Sequence, residues 1–323
     1  MKRNTRKYLL IILAILFIGM NVIAFFHAYK FTHFASTGSK TQAPGKLATT
    51  GKIKALVFGI SNPRPENNPK PQEAYRTIVL ESNKKIECWY KSSQVNPAKG
   101  TVILFHGYGG EKSSMIDKAG IFDSLGYHTL LVDFMGSGGS EGNTTTIGYK
   151  EAAQVKTAYE YIRGKGEKNV YLFGTSMGSA AIMKAIHDDQ LKVKGIIVEC
   201  PFGSLYTTVC ARFHNIHAPA FPMAALLVFW GGVQNGYWAF GHNPATYAKA
   251  ISCPTLLLYG EQDQNVSKAE TDEIYANLQG EKRLCTYPLA GHENYLKKYR
   301  QAWTNDVTLF LQPLNRQTFE QED

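Results

Sequence analysis

Short apolar runs recur along the chain, and each is followed by a polar or amphipathic stretch. "TVILFHG" (101–107), "HTLLVDF" (128–134), "NVYLFGTS" (169–176), "GIIVEC" (195–200) and "PTLLLYG" (254–260) carry apolar residues without alternation. Runs of this kind predict strands buried on both faces of a parallel sheet. Upstream, "RTIVLES" and "KIECWYKSS" alternate loosely and predict an antiparallel pair at the sheet edge. "KRLCTYPL" predicts a last strand, with a final helix around Tyr295 to Leu311. Between the runs, "YKEAAQVKTAYEYIRGK" sets Ala152, Val155, Ala158, Tyr159 and Ile162 on one helical face. "MGSAAIMKAIHDD" and "KAETDEIYANLQG" repeat that spacing.

Strands alternating with helices imply right-handed crossovers and an α/β fold with a mostly parallel, doubly wound sheet. One interval breaks the rhythm. Pro201 to Cys253 is too long for a plain crossover and predicts a small inserted cap.

The longest apolar run stands apart. Tyr8 to Phe26 contains only Tyr8 and Asn21 as polar residues, and its length suits one transmembrane helix. Lys2, Arg3, Arg6 and Lys7 precede it. The positive-inside rule then puts the N-terminus in the cytoplasm and the remainder in the periplasm or outside the cell. A cleaved signal peptide is the rival reading, but "AFFHAYKF" offers no small-x-small cleavage site. Residues 31–75, with "SNPRPENNPKP", read as a tether and a loop leading into the domain. The expected organisation is therefore an anchor over 1–30, a tether over 31–75 and the main α/β domain over 76–312. The cap is inserted at 201–253, and a tail follows over 313–323.

Composition adds exclusions. The 323-residue chain is 44% hydrophobic and 19% charged, which suits a globular core and excludes a disordered chain. Its net charge of +9 includes the four basic residues ahead of the apolar run. No basic run with interleaved aromatics follows, so no nucleic-acid partner is expected. Five cysteines cannot all pair. Cys200 and others in strand-like segments read as small hydrophobes, and a Cys210–Cys253 bridge stays open. Their spacing matches no metal motif. No cofactor or metal is expected.

Candidate chemistry centres on "GTSMGS" (174–179). Ser176 follows an apolar run and precedes a helix, which is the strand–turn–helix context of a nucleophile elbow. A second G-x-S-x-G, "GGSEG" around Ser140, has no strand directly before it and reads as a glycine loop. A serine nucleophile needs a base to take its proton. Asp263, in "GEQDQNV", and His292, in "GHENY", follow two later strands in the order serine, acid, histidine. Parallel strands bring their carboxyl ends to one edge, so all three can meet there. Glu261 and Glu199 are competing acids. "HGYGG" (106–110) can supply an oxyanion donor, and Tyr108 N–H with Met177 N–H is the expected pair. His106 reads as a structural loop residue, and "HNIH" (214–217) as a plain loop.

Over about residues 76–312 these features resemble the α/β-hydrolase superfamily of serine hydrolases. "HGYGG" is similar to its oxyanion loop, and "DFMGSGGSEG" to its D-x-R-G-x-G-x-S-x-G stretch. "GTSMGS" is similar to its elbow, and "GEQDQNV" and "GHENY" to its acid and histidine loops. "VECPFGSLY" further resembles short-capped, membrane-anchored members related to serine peptidases and acyl-thioesterases. Met135 departs from the pattern, where arginine is usual. The resemblance implies hydrolysis through an acyl-serine.

The cap carries "APAFPMAALLVFWGG" (218–232), too short to span a bilayer comfortably. It can pack as a cap helix, line an acyl pocket or lie at the membrane surface. The expected substrate is a small or lipid-like ester or thioester with an apolar acyl group. A peptide or amide bond is the second reading. An acyltransferase and a non-catalytic binding or scaffold protein on the same fold remain as other classes.

Overall fold

The computed structural model describes residues 2–39, 41, 48–69 and 75–319. The strands are β1 (Arg76–Leu80), β2 (Ile86–Lys91), β3 (Thr101–Phe105), β4 (His128–Val132), β5 (Val170–Thr175), β6 (Gly195–Glu199), β7 (Thr255–Gly260) and β8 (Lys282–Tyr287). The helices are α1 (Lys2–Thr32), α2 (Thr49–Phe58), α3 (Ile116–Ser124), α4 (Glu151–Gly164), α5 (Met177–Asp189), α6 (Leu205–His214), α7 (Met223–Asn235), α8 (Pro244–Tyr247), α9 (Lys268–Asn277), α10 (Tyr295–Lys298) and α11 (Arg300–Phe319). They form two compact units. One comprises residues 1–63 with 205–242, and the other 64–204 with 243–323.

The larger unit is built on one eight-stranded sheet in the order β1-β2-β4-β3-β5-β6-β7-β8. β1 and β2 pair antiparallel, as do β2 and β4, while every pair from β4 to β8 is parallel. Alternate residues of each central strand enter opposite core layers. Ile103, Phe105, Leu172 and Val198 pack with Val155, Ala181, Ile186 and Ile274. Val102, Leu104, Phe173 and Ile197 pack with Phe122, Trp303 and Val307. All four apolar residues of β3 are fully buried. This two-sided burial is why the strand sequences read as unbroken apolar runs. Because β3 and β5 to β7 are parallel, the loops leaving them emerge at one edge.

The cap is narrower than expected. Residues 201–204 and 243–253 belong with the sheet. Gly203 N–H donates to Glu270 Oε1 at 3.0 Å, Ala245 N–H donates to the Gly203 carbonyl at 3.0 Å, and Tyr247, Ala248 and Ile251 are buried in the core. At the other end, α11 continues through Pro313 into the expected tail, because Phe310, Leu311 and Leu314 bury one side of it. Residues 320–323 lie outside the described residues.

In the smaller unit, α1 offers a 29-residue stretch, Asn4–Thr32, long and apolar enough to cross a membrane. The apolar cap segment forms α7, which packs along α1. The Trp230 indole N–H donates to Asn21 Oδ1 at 3.1 Å, and Gln234 Nε2 donates to the Phe25 carbonyl at 2.8 Å. Asn21 in turn donates to the Phe17 carbonyl at 2.9 Å, so the polar residue inside the apolar run has partners on both sides of its amide. The stretch expected as a tether holds α2, which ends where Gly59, at φ +77°, turns its N–H to the Ala55 carbonyl.

Candidate active site

Ser176 stands between the end of β5 and the first residue of α5, at φ +51° and ψ −108°. A non-glycine residue with positive φ and this ψ is strained and persists only where its surroundings fix it. Two backbone hydrogen bonds do so. Ser176 N–H donates to the Glu199 carbonyl at 2.7 Å, and the Ser176 carbonyl accepts from Ala180 N–H at 3.0 Å. The flanking glycines are needed for close approach. A Cβ at Gly174 would lie 2.6 Å from the Gly178 carbonyl carbon, and one at Gly178 would lie 2.4 Å from the Phe105 oxygen. Ser179 ties the turn to β6, donating to the Gly174 carbonyl at 2.6 Å and accepting from Glu199 N–H at 3.1 Å.

Ser176 Oγ lies 3.1 Å from His292 Nε2, and His292 Nδ1 lies 2.7 Å from Asp263 Oδ2. Asp263 follows β7, and its second oxygen accepts the N–H groups of Asn265 at 2.8 Å and Val266 at 3.0 Å. The carboxylate is thus held at both oxygens. Its loop crosses the histidine loop closely, because a Cβ at Gly260 would lie 2.5 Å from the Ala290 carbonyl oxygen. The Asp263 side chain is fully buried and that of His292 is 25% exposed, so the imidazole is the member of the pair that meets solvent. Burial works against the imidazolium, but the Cys200 sulfur and the Asp263 carboxylate more than offset it and hold His292 well above its ordinary value.

The loop after β3 closes on the same turn. Gly107 approaches Ser176, since a Cβ there would sit 3.7 Å from Ser176 Cβ. Tyr108 is the next residue. Met177 is the first residue of α5, where backbone N–H groups have no intrahelical acceptor. The loop is braced by His106, which is fully buried. Its Nε2 accepts from Phe134 N–H at 3.1 Å, which leaves Nδ1 to donate to the Gly107 carbonyl at 2.8 Å. Burial lowers its pKa, so this imidazole is neutral with a fixed tautomer.

The competing residues are occupied elsewhere. Ser140 is buried, donates to the Asp133 carbonyl at 2.7 Å and accepts from Glu87 N–H at 2.8 Å. Glu261 is exposed and accepts from Thr286 Oγ1 at 2.7 Å. The Glu199 carboxylate binds Lys118 Nζ at 2.6 Å and Thr175 Oγ1 at 2.9 Å. All five cysteines are free thiols. His214 ends α6 and His217 lies in the turn after it.

Three residues at the site were not singled out from sequence. Cys200 follows β6 at φ +42° and lies beside Asp263 and His292. Lys118 reaches from α3 to the Glu199 carboxylate, both nearly fully buried. Arg64 donates to the carbonyls of Gly138 at 2.7 Å, Ser140 at 2.5 Å and Gly142 at 3.1 Å. A guanidinium from the proline-rich stretch therefore holds the glycine loop, whose own Met135 takes the place of the usual arginine.

Comparison with known proteins agrees with this architecture. A model of the serine aminopeptidase family, S33, matches residues 96–237. The uncharacterized protein YqkD of Bacillus subtilis is 23% identical over 222 residues, covering 68% of this chain and 73% of that one. The lysophosphatidylserine lipase ABHD12 of Danio rerio is 25% identical over 190 residues, covering 54% of this chain. The match spans 46% of the lipase, about half its length. Among solved structures, the esterase Pf2001 of Pyrococcus furiosus superposes with a TM-score of 0.62 at 20% identity, covering 78% of this chain and 98% of the esterase.

Proposed function

We propose that this chain, an α/β-hydrolase by fold, is a membrane-anchored serine hydrolase that cleaves esters or thioesters carrying an apolar acyl group. The observation that carries the reading is the linked pair of contacts from Ser176 to His292 to Asp263, at 3.1 Å and 2.7 Å. His292 Nε2 takes the Ser176 proton as Oγ attacks the acyl carbonyl. Asp263 holds the Nδ1–H tautomer and stabilises the imidazolium. The N–H groups of Tyr108 and Met177 receive the oxyanion. Collapse of the tetrahedral intermediate expels the alcohol or thiol, which leaves with the proton from His292. Water, deprotonated by the same imidazole, then attacks the acyl-Ser176 ester and releases the acid and the free serine.

Support for an ester substrate comes from the lipase and the esterase to which the chain is similar. The match to a serine aminopeptidase family supports amide hydrolysis as the second reading. A chain-length series of ester, thioester and amide substrates on the full-length protein separates the two. Preference for amides over matched esters in kcat/KM would replace the first reading with the second. A non-catalytic scaffold would turn over none of them.

The apolar run of α1, with basic residues in the helix's first turns, supports a signal-anchor with the hydrolase on the far side of the membrane. A C-terminal alkaline phosphatase fusion tests this. It is expected to be active, and activity from a cytoplasmic reporter alone would reverse the orientation.

A further inference from the structure

Cys200 is 1% exposed and sits in the left-handed backbone region at the end of β6. Its Sγ, a carboxylate oxygen of Asp263 and a ring nitrogen of His292 all lie within 4.8 Å of one another. Among the described residues this is the one group of His, Cys, Asp or Glu donors close enough to hold a metal ion. Thiolate, imidazole and carboxylate are the donors that zinc uses, and three protein ligands leave its fourth position for water. Zinc–ligand bonds of about 2.0–2.3 Å need donors about 3.3–3.7 Å apart in a tetrahedron. No pair of donors therefore has to close by more than about 1.5 Å, while Nδ1 of His292 and Oδ2 of Asp263, at 2.7 Å, would have to open. The partly exposed imidazole gives an ion a way in from solvent.

We infer that Cys200, Asp263 and His292 form an inhibitory site for a thiophilic divalent cation, Zn²⁺. Binding displaces the Cys200 thiol proton to solvent and forms a zinc–thiolate bond, with no change of oxidation state. Inhibition follows whichever imidazole nitrogen takes the metal. Nδ1 is bonded to Asp263 and Nε2 to Ser176, so a metal on either breaks one of the two contacts on which proton transfer depends. Mg²⁺ and Ca²⁺ prefer all-oxygen shells and do not compete for a thiolate site. The consequence for turnover rests on the hydrolase reading, whereas the binding itself does not.

The test uses full-length protein in detergent with two readouts. Cobalt(II) reports the site directly through a thiolate-to-cobalt charge-transfer band, and ZnCl₂ is titrated against the rate of fluorophosphonate labelling. The wild type is expected to show the band and to lose labelling as zinc rises. Cys200→Ser is expected to lose the band and to need at least tenfold more zinc for half-inhibition, measured against its own zinc-free rate. Cys200→Ala serves the same purpose if the serine variant does not fold. A wild type without the band, or a Cys200 variant as sensitive to zinc as the wild type, overturns the inference. A folded wild type that shows the band yet takes no label would sink the hydrolase reading while leaving the metal site standing.

Discussion

The main-chain N–H of Ser176 donates to the carbonyl of Glu199 at 2.7 Å, tying the strained residue to the neighbouring strand. The same Glu199 sends its carboxylate to Lys118 and to Thr175, the residue before Ser176. Backbone and side chain of one buried glutamate thus hold the turn from two directions. Breaking a buried ion pair by removing one partner leaves an uncompensated charge, at a cost of about 3–5 kcal/mol. Lys118→Met is therefore expected to lower stability by that order. Urea unfolding checks it, and an unchanged midpoint would contradict the clamp.

Gly178→Ala forces a Cβ to within 2.4 Å of the Phe105 oxygen, a backbone atom that cannot swing aside. Overpacking of this kind costs about 1–3 kcal/mol. It also pushes α5 apart from the β3 loop, the two segments that carry the proposed oxyanion donors Met177 and Tyr108. The expected result is a lower melting temperature together with a large fall in kcat.

His292 has a pKa held well above its ordinary value, and only the neutral ring can accept the Ser176 proton. The acidic limb of kcat/KM is therefore expected above about pH 6.5, the unperturbed histidine value. Asp263→Asn removes the carboxylate, so the limb should move to lower pH while kcat falls by about 10⁴. The stability side has a definite sign. A raised folded-state pKa contributes stability that is fully present below the unfolded value and is lost as pH rises through the folded value. The stability gap between wild type and Asp263→Asn should therefore narrow on going from pH 5.5 to alkaline pH. A gap that widens would contradict the ion pair.

Ser140→Ala separates the two G-x-S-x-G serines. Its hydroxyl bridges the Asp133 carbonyl and Glu87 N–H in a buried place. Leaving the part-buried Glu87 donor without its partner costs up to about 1–3 kcal/mol. Stability should fall while fluorophosphonate labelling persists, and loss of labelling in a folded variant would move the nucleophile away from Ser176.

What could be read from sequence, and what could not, follows from locality. Strands β3 to β7 were legible because burial on both faces leaves a continuous apolar signature in each, whereas β1, β2 and β8, partly exposed, showed only a looser apolar and β-branched pattern. That Ser176, Asp263 and His292 would come together was legible because each sits in a short motif following a strand. Cys200 was hidden by its own context. "GIIVEC" reads as one apolar run, yet the backbone turns to φ +42° at the cysteine and carries it out of the strand and toward the imidazole. Arg64 carried no local signal, since its guanidinium serves carbonyls more than seventy residues away, from a stretch whose prolines suggested a linker. α2 starts with no side-chain cap and holds a glycine in its first turn, so nothing marked it as helical.

The central claim is that Ser176 is the nucleophile, activated by His292. The most direct measurement is fluorophosphonate labelling of the full-length protein, with peptide mapping of the adduct, in wild type, Ser176→Ala and His292→Ala. The account predicts one adduct on Ser176 in the wild type, none in Ser176→Ala, and labelling slowed by orders of magnitude in His292→Ala. Labelling that survives in Ser176→Ala, or that is untouched by loss of the imidazole, would contradict it.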